Sequence, residues 1–120
     1  MTLASDRILD LRDGINSLEF CLSNTELSSY VCVEKEDVLR CLDIISDRLI
    51  KKTSNFKSLL DISKKKNFQN KNKNELEVSV SNKITVCMSL ALKIEYINEK
   101  LFGMEQVKVS QHVYDFIKDV

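Results

Sequence analysis

A chain of 120 residues with no proline and only two glycines has almost nothing in it to stop a helix. Proline removes a hydrogen-bond donor and clashes with the preceding turn, and an interior glycine costs roughly 1 kcal/mol relative to alanine. Apolar residues also recur every three to four positions through most of the chain, which is the spacing that lays a stripe along one helix face. These features predict an all-α fold. We read the chain as one domain, residues 1–120, forming a small antiparallel helical bundle of three to four helices around a Lys/Asn-rich central loop.

The first helical half spans residues 5–62. Ser5 stands at the N-cap position with Asp6 behind it, and Ile8, Leu11, Ile15, Leu18 and Leu22 form the buried stripe. Gly14 interrupts that helix, and a close approach of another helix is one reason for a glycine there. A break follows at Ser23-Asn24-Thr25, and residues 25–33 give no clear helix, strand or loop signal. A second periodicity runs through Val38, Leu42, Ile45 and Leu49 and continues to Phe56, Leu59, Leu60 and Ile62, with a bend expected near Ser54-Asn55.

Residues 63–75 hold almost only lysine and asparagine around Phe68. Such a tract buries too little to offset its ordering entropy, so an exposed linker is expected. Leu76, Val78 and Val80 alternate with polar residues, too briefly to define a strand. The second half, residues 81–118, begins with Ser81 or Asn82 as a cap. Its apolar face runs through Ile84, Cys87, Leu90, Ile94, Ile97 and Leu101. Gly103 then sits where a left-handed helix terminus wants glycine. Residues 106–109 form a short connector, and Ser110 caps a last amphipathic helix containing Val113, Phe116 and Ile117.

Net charge is zero but unevenly distributed. Residues 1–48 carry ten acids and five bases, residues 49–74 eight lysines and one acid, and residues 75–120 seven acids and five bases. A globally basic nucleic-acid binder is therefore not indicated, which leaves the lysine-rich segment 51–73 as a candidate surface for polyanions. Lys64, Lys65, Lys66, Lys71 and Lys73 would contact phosphates there, and Phe68 could stack on a base. The segment has no arginine to read base edges, so any such binding is weak, salt-sensitive and sequence-blind.

Catalytic signatures are thin. His112 is the single histidine, with Asp115 three residues on, and a rim position explains it better than a dyad. Cys21, Cys32, Cys41 and Cys87 lack C-x-x-C spacing and read as free thiols, three of them among apolar neighbours. Asp43 and Asp47 stand four apart, but no Glu-x-x-His accompanies them, so a solvated helix face is expected and no cofactor or metal is implied. The longest uncharged apolar stretch, residues 84–92, is about half of a bilayer span. The first residues lack a basic segment followed by an apolar one, so a cytoplasmic setting is expected.

What exceeds the needs of a small bundle is apolar surface. Around Leu39, Leu42, Ile44, Ile45, Leu49 and Ile50, and again around Val86, Met88, Leu90, Leu92, Ile94 and Ile97, apolar residues cover most of the helix circumference. A helix apolar on most sides is either central in a core or covered by another chain. The expectation is a non-enzymatic interaction protein that binds, chaperones or inhibits a protein partner, or pairs with itself. Leu39, Leu42, Ile45, Leu49, Leu90, Ile94 and Ile97 are the expected contact residues. A polyanion binder acting through segment 51–73 is the alternative.

Overall fold

The computed structural model describes residues 7–24, 26–65 and 71–120. Among these the chain is mostly helical, with α1 at Ile8–Ser23, α2 at Lys35–Lys65, α3 at Lys71–Leu101 and α4 at Gln111–Asp119. Two short strands, β1 at Val31–Glu34 and β2 at Gln106–Val109, pair antiparallel. The helical class expected from the periodicity is thus what the chain adopts, with a sheet added.

Helices α2 and α3, each of 31 residues, run antiparallel and give the molecule its long axis of 55 Å. Their register is set by two cross-helix contacts. The Lys83 ammonium sits 5.7 Å from the centre of the Phe56 ring, and the Cys87 thiol hydrogen-bonds the Thr53 side chain. Residue numbers at one level therefore sum to about 140, which also places Leu49 beside Leu90 or Ala91 and Val38 beside Leu101.

The core occupies only the half of this hairpin nearest the sheet. Leu11, Ile15 and Leu18 of α1 meet Val38, Leu42, Ile45 and Leu49 of α2 and Leu90, Ile94, Ile97 and Leu101 of α3, all buried in one cluster. Val113 and Ile117 of α4 and Val33, Val107 and Val109 of the strands complete it. Polar ties flank it. The Lys93 ammonium reaches Asn16 Oδ1 at 2.7 Å and Glu19 at 3.6 Å, fixing α1 to α3. Lys118 reaches Asp37 at 3.6 Å, fixing α4 to α2. Beyond Leu49 and before Cys87, the described side chains of the hairpin are buried only at Ser63 and Val80.

The sheet occupies residues that the sequence left as connectors. Val33 lies opposite Val107, and Val31 opposite Val109; Val33, Val107 and Val109 are buried. The alternate pairs, Cys32 with Lys108 and Glu34 with Gln106, point outward, and Gln106 Nε2 donates to Glu34 Oε1 at 3.1 Å. A β-branched residue at every second position suits this half-buried pleat. Glu34 closes β1, and α2 begins at Lys35.

The expected linker over residues 63–75 is corrected at its two edges, while its centre, residues 66–70, lies outside the described residues. Residues 63–65 end α2 and residues 71–75 begin α3, and α2 runs through Ser54-Asn55 as one element. Lysine and asparagine cost a helix only tenths of a kcal/mol each, and without proline or glycine an established helix extends into solvent. Leu76 to Val80 is likewise helical, and Ser81 is interior to α3, its carbonyl accepting from the Thr85 hydroxyl at 3.1 Å. The Ser5 cap and Phe68 lie outside the described residues; α1 is preceded by Arg7, which makes no side-chain cap. Two other termini are as expected. Gly103 has φ +85° just past α3, and Ser110 Oγ accepts from the Val113 amide at 3.3 Å at the start of α4.

Candidate functional site

Of the seven residues expected to contact a partner, Leu42, Ile45, Leu49, Leu90, Ile94 and Ile97 are instead buried within the chain, and Leu39 is half-buried. This corrects the expectation. The core of a small helical protein takes the central positions of its longest helices first, and these six lie where α2 and α3 face each other and α1. The surplus is left on the flanks.

Those flanks can be separated by helical geometry, at 100° per residue. On α3, Lys93 and Lys100 turn toward α1, where Lys100 donates to Ser23 at 3.2 Å. Cys41 and Ile44 of α2 turn toward Ile117 and Val120 at the other end of the same side. Among the described residues, no other element packs on the opposite side. There α2 presents Leu39, Asp43, Ser46, Ile50, Ser54, Lys57, Asp61 and Lys64, and α3 presents Glu77, Ser81, Ile84, Met88, Ala91, Glu95, Asn98 and Phe102. Both series keep the 3–4 spacing of a helix-packing seam. The two rows border an open groove of about 520 Å³ floored by Leu49, Thr53 and Cys87, with Ile50 and Met88 on its rims. Ile50 is 66% exposed, Met88 57% and Phe102 89%.

Of the expected polyanion residues, only Lys64 has a described side chain. Lys64 is exposed near the end of α2; Lys65, Lys71 and Lys73 lie within the two helices, and Lys66 lies outside the described residues. Lys51 and Lys57 are exposed but six positions apart, some 120° around α2. Among the lysines with described side chains, Lys57 and Lys64 share a side of α2, with Asp61 between them.

Acid–base and nucleophilic chemistry finds little support. His112 is exposed and borders a shallow cleft with Asn16, Ser17, Phe20 and Leu27, while Asp115 accepts from Gln111 Nε2 at 2.9 Å. Cys21, Cys41 and Cys87 are buried free thiols and Cys32 is an exposed one. Burial pushes the Cys41 thiol up to about 12 against a smaller opposing pull from Arg48. Cys87 is raised for the same reason, offset in part by Thr53 and Lys52. Raised thiols are poor nucleophiles at neutral pH. Among the described residues no three His, Cys, Asp or Glu side chains are grouped to hold a metal ion, and no helix is long and apolar enough to cross a membrane.

A second cavity, of about 320 Å³, opens where α1 meets the sheet, between Cys21, Leu27, Met104 and Lys108. The Lys108 ammonium at its edge lies 4.7 Å from the centre of the Tyr30 ring. No family model, curated protein or solved structure matches the chain.

Proposed function

We propose that this chain is a non-enzymatic protein-binding module whose docking surface is the open side of the α2–α3 hairpin. The observation that carries the reading is the open groove there, with Ile50 and Met88 exposed on its rims among the polar residues of the two rows. Buried apolar surface is worth roughly 25 cal/mol per Å². Exposed apolar side chains on the rims of a groove therefore favour association. A helical partner would seat in the groove, apolar residues inward and its polar residues toward Asp43, Lys57, Asp61 and Glu95.

Site-specific photo-crosslinking tests this. A benzophenone side chain at Ile50 or Met88, introduced in the cells that make the protein, should give discrete protein adducts. The same group at Glu26 or Asp119, both exposed and away from the groove, should give none. Equal labelling from all four positions, or none from the groove, would reject the reading.

A further inference from the structure

We propose that the outer edge of β2 is a peptide-binding site, where an extended segment of another protein adds as a third strand. The site lies apart from the hairpin groove, and neither reading depends on the other.

The phase of the ladder decides which main-chain groups are left over. The Lys35 amide donates to the Glu105 carbonyl at 3.1 Å. The same register continues through Glu34 with Gln106, Val33 with Val107, Cys32 with Lys108 and Val31 with Val109. Antiparallel pairs alternate between those that exchange hydrogen bonds and those that do not. Val107 and Val109 therefore bond Val33 and Val31, whereas the N–H and C=O of Gln106 and Lys108 point away from β1. The Ser110 amide is next in this outward phase, and it donates to Cys21 Sγ of α1 at 3.5 Å. Gln106 and Lys108 have no equivalent. Among the described residues nothing hydrogen-bonds their main-chain groups on this side.

What lies beside them is the cavity of about 320 Å³. Gln106, Val107, Lys108 and Cys21 line it and no residue of β1 does, so it opens along the edge that β1 leaves unpaired. Two donors and two acceptors in a row are a template for another strand. The register also sets the side chains of the occupant. A residue opposite Val107 turns to the same face as Val107, towards Leu22, Leu27 and Met104 in the cavity, and is apolar. Residues opposite Lys108 and Gln106 turn to the outer face. Lys108 has no acidic partner there among the described residues, its ammonium lying over the Tyr30 ring, so an acid opposite it is favoured. Antiparallel to β2, the occupant reads acid, apolar, polar from its N-terminal side.

Panning a random heptapeptide phage library on the full chain supplies the probe. Enriched sequences should alternate apolar and polar residues, with an acid before the central apolar one. The leading peptide, synthesised with blocked ends, should slow solvent exchange of the Gln106 and Lys108 amides, measured by NMR. The Val107 and Val109 amides should be slow with or without it. N-methylating the two peptide amides that face β2 should weaken binding at least roughly tenfold, and N-methylating the amide between them should not. Lys108→Glu should weaken binding about fivefold, and exchanging the peptide's acid for lysine should recover the loss. No enrichment would overturn the proposal. So would binding that tolerates N-methylation of both facing amides, or a complex in which Gln106 and Lys108 gain no protection. A leading peptide lost on Ile50→Lys and indifferent to Lys108→Glu would overturn the strand-addition site while supporting the hairpin groove.

Discussion

A β-carbon on Gly14 would clash with the ring of Phe116. The two residues lie a hundred positions apart, on α1 and α4, and the aromatic ring rests where any other side chain at residue 14 would begin. Gly14 is buried, so its missing side chain is the space that lets α4 dock. Gly14→Ala should therefore destabilise the fold by about 1–3 kcal/mol despite alanine's better helix propensity. In urea melts the double variant with Phe116→Leu should recover part of the loss, a coupling that independent sites would not show.

Gly103 presents the opposite case. Nothing lies within 4 Å of a β-carbon there, but its φ is +85°. The cost of Gly103→Ala is conformational alone, about 1–2 kcal/mol, and Gly103→Asn should cost less because asparagine tolerates the left-handed region. Comparing the urea midpoints of both variants with wild type separates conformation from crowding.

Thiol reactivity should follow burial. In native buffer at pH 8 a disulfide reagent should titrate one thiol rapidly, that of Cys32, and the other three only slowly; unfolding should release all four. Cys32→Ser should abolish the fast phase and leave stability nearly unchanged. A fast phase surviving that substitution would contradict the placement of Cys21, Cys41 and Cys87.

Cys41 also makes stability depend on pH in the alkaline range. Its folded-state value is raised from 9.0 to about 12 by burial, so between these values the folded chain holds a proton that the unfolded chain has released. Stability from this group is complete below pH 9 and is lost as pH rises toward 12. The unfolding free energy of wild type should fall more steeply than that of Cys41→Ala between pH 8.5 and 10.5, a difference that cancels the titration of lysines and tyrosines common to both.

Ser110 joins two elements through one hydroxyl, which accepts from the Val113 amide at 3.3 Å while the Cys21 thiol lies 3.9 Å away. Ser110→Ala removes the cap of a nine-residue helix and should cost about 1 kcal/mol. Native-state hydrogen exchange should show the loss first in α4, with the long hairpin unaffected.

The helices were legible in the sequence because their signal is local. The stripe Leu11, Ile15, Leu18 and the caps at Gly103 and Ser110 depend on residues within a turn of each other. The sheet was not, since Val31 and Val33 acquire their meaning only from Val107 and Val109 in another part of the chain. Gln106-Val107-Lys108-Val109 alternates cleanly and is the signal that could have found it, although four residues are few to set against so strong a helical background. The contact residues were misassigned for a related reason. Periodicity marks Leu42 and Ile50 alike as apolar positions of α2, and only the placement of α1 and α4 decides that the first is core and the second is surface. At the edges of the lysine-asparagine tract, residues 63–65 and 71–75, composition was read as linker where the chain is helical.

The ladder that pairs Glu34 with Gln106 gathers the roots of α2 and α3 and makes residues 35–105 a closed excursion from a fixed base. Loop-closure entropy grows only as the logarithm of loop length, so lengthening the excursion costs the base little. Two helices held at their roots can be extended by matched seven-residue steps without disturbing the packing beneath them. The length of the hairpin is in this way separable from the packing that keeps the protein folded.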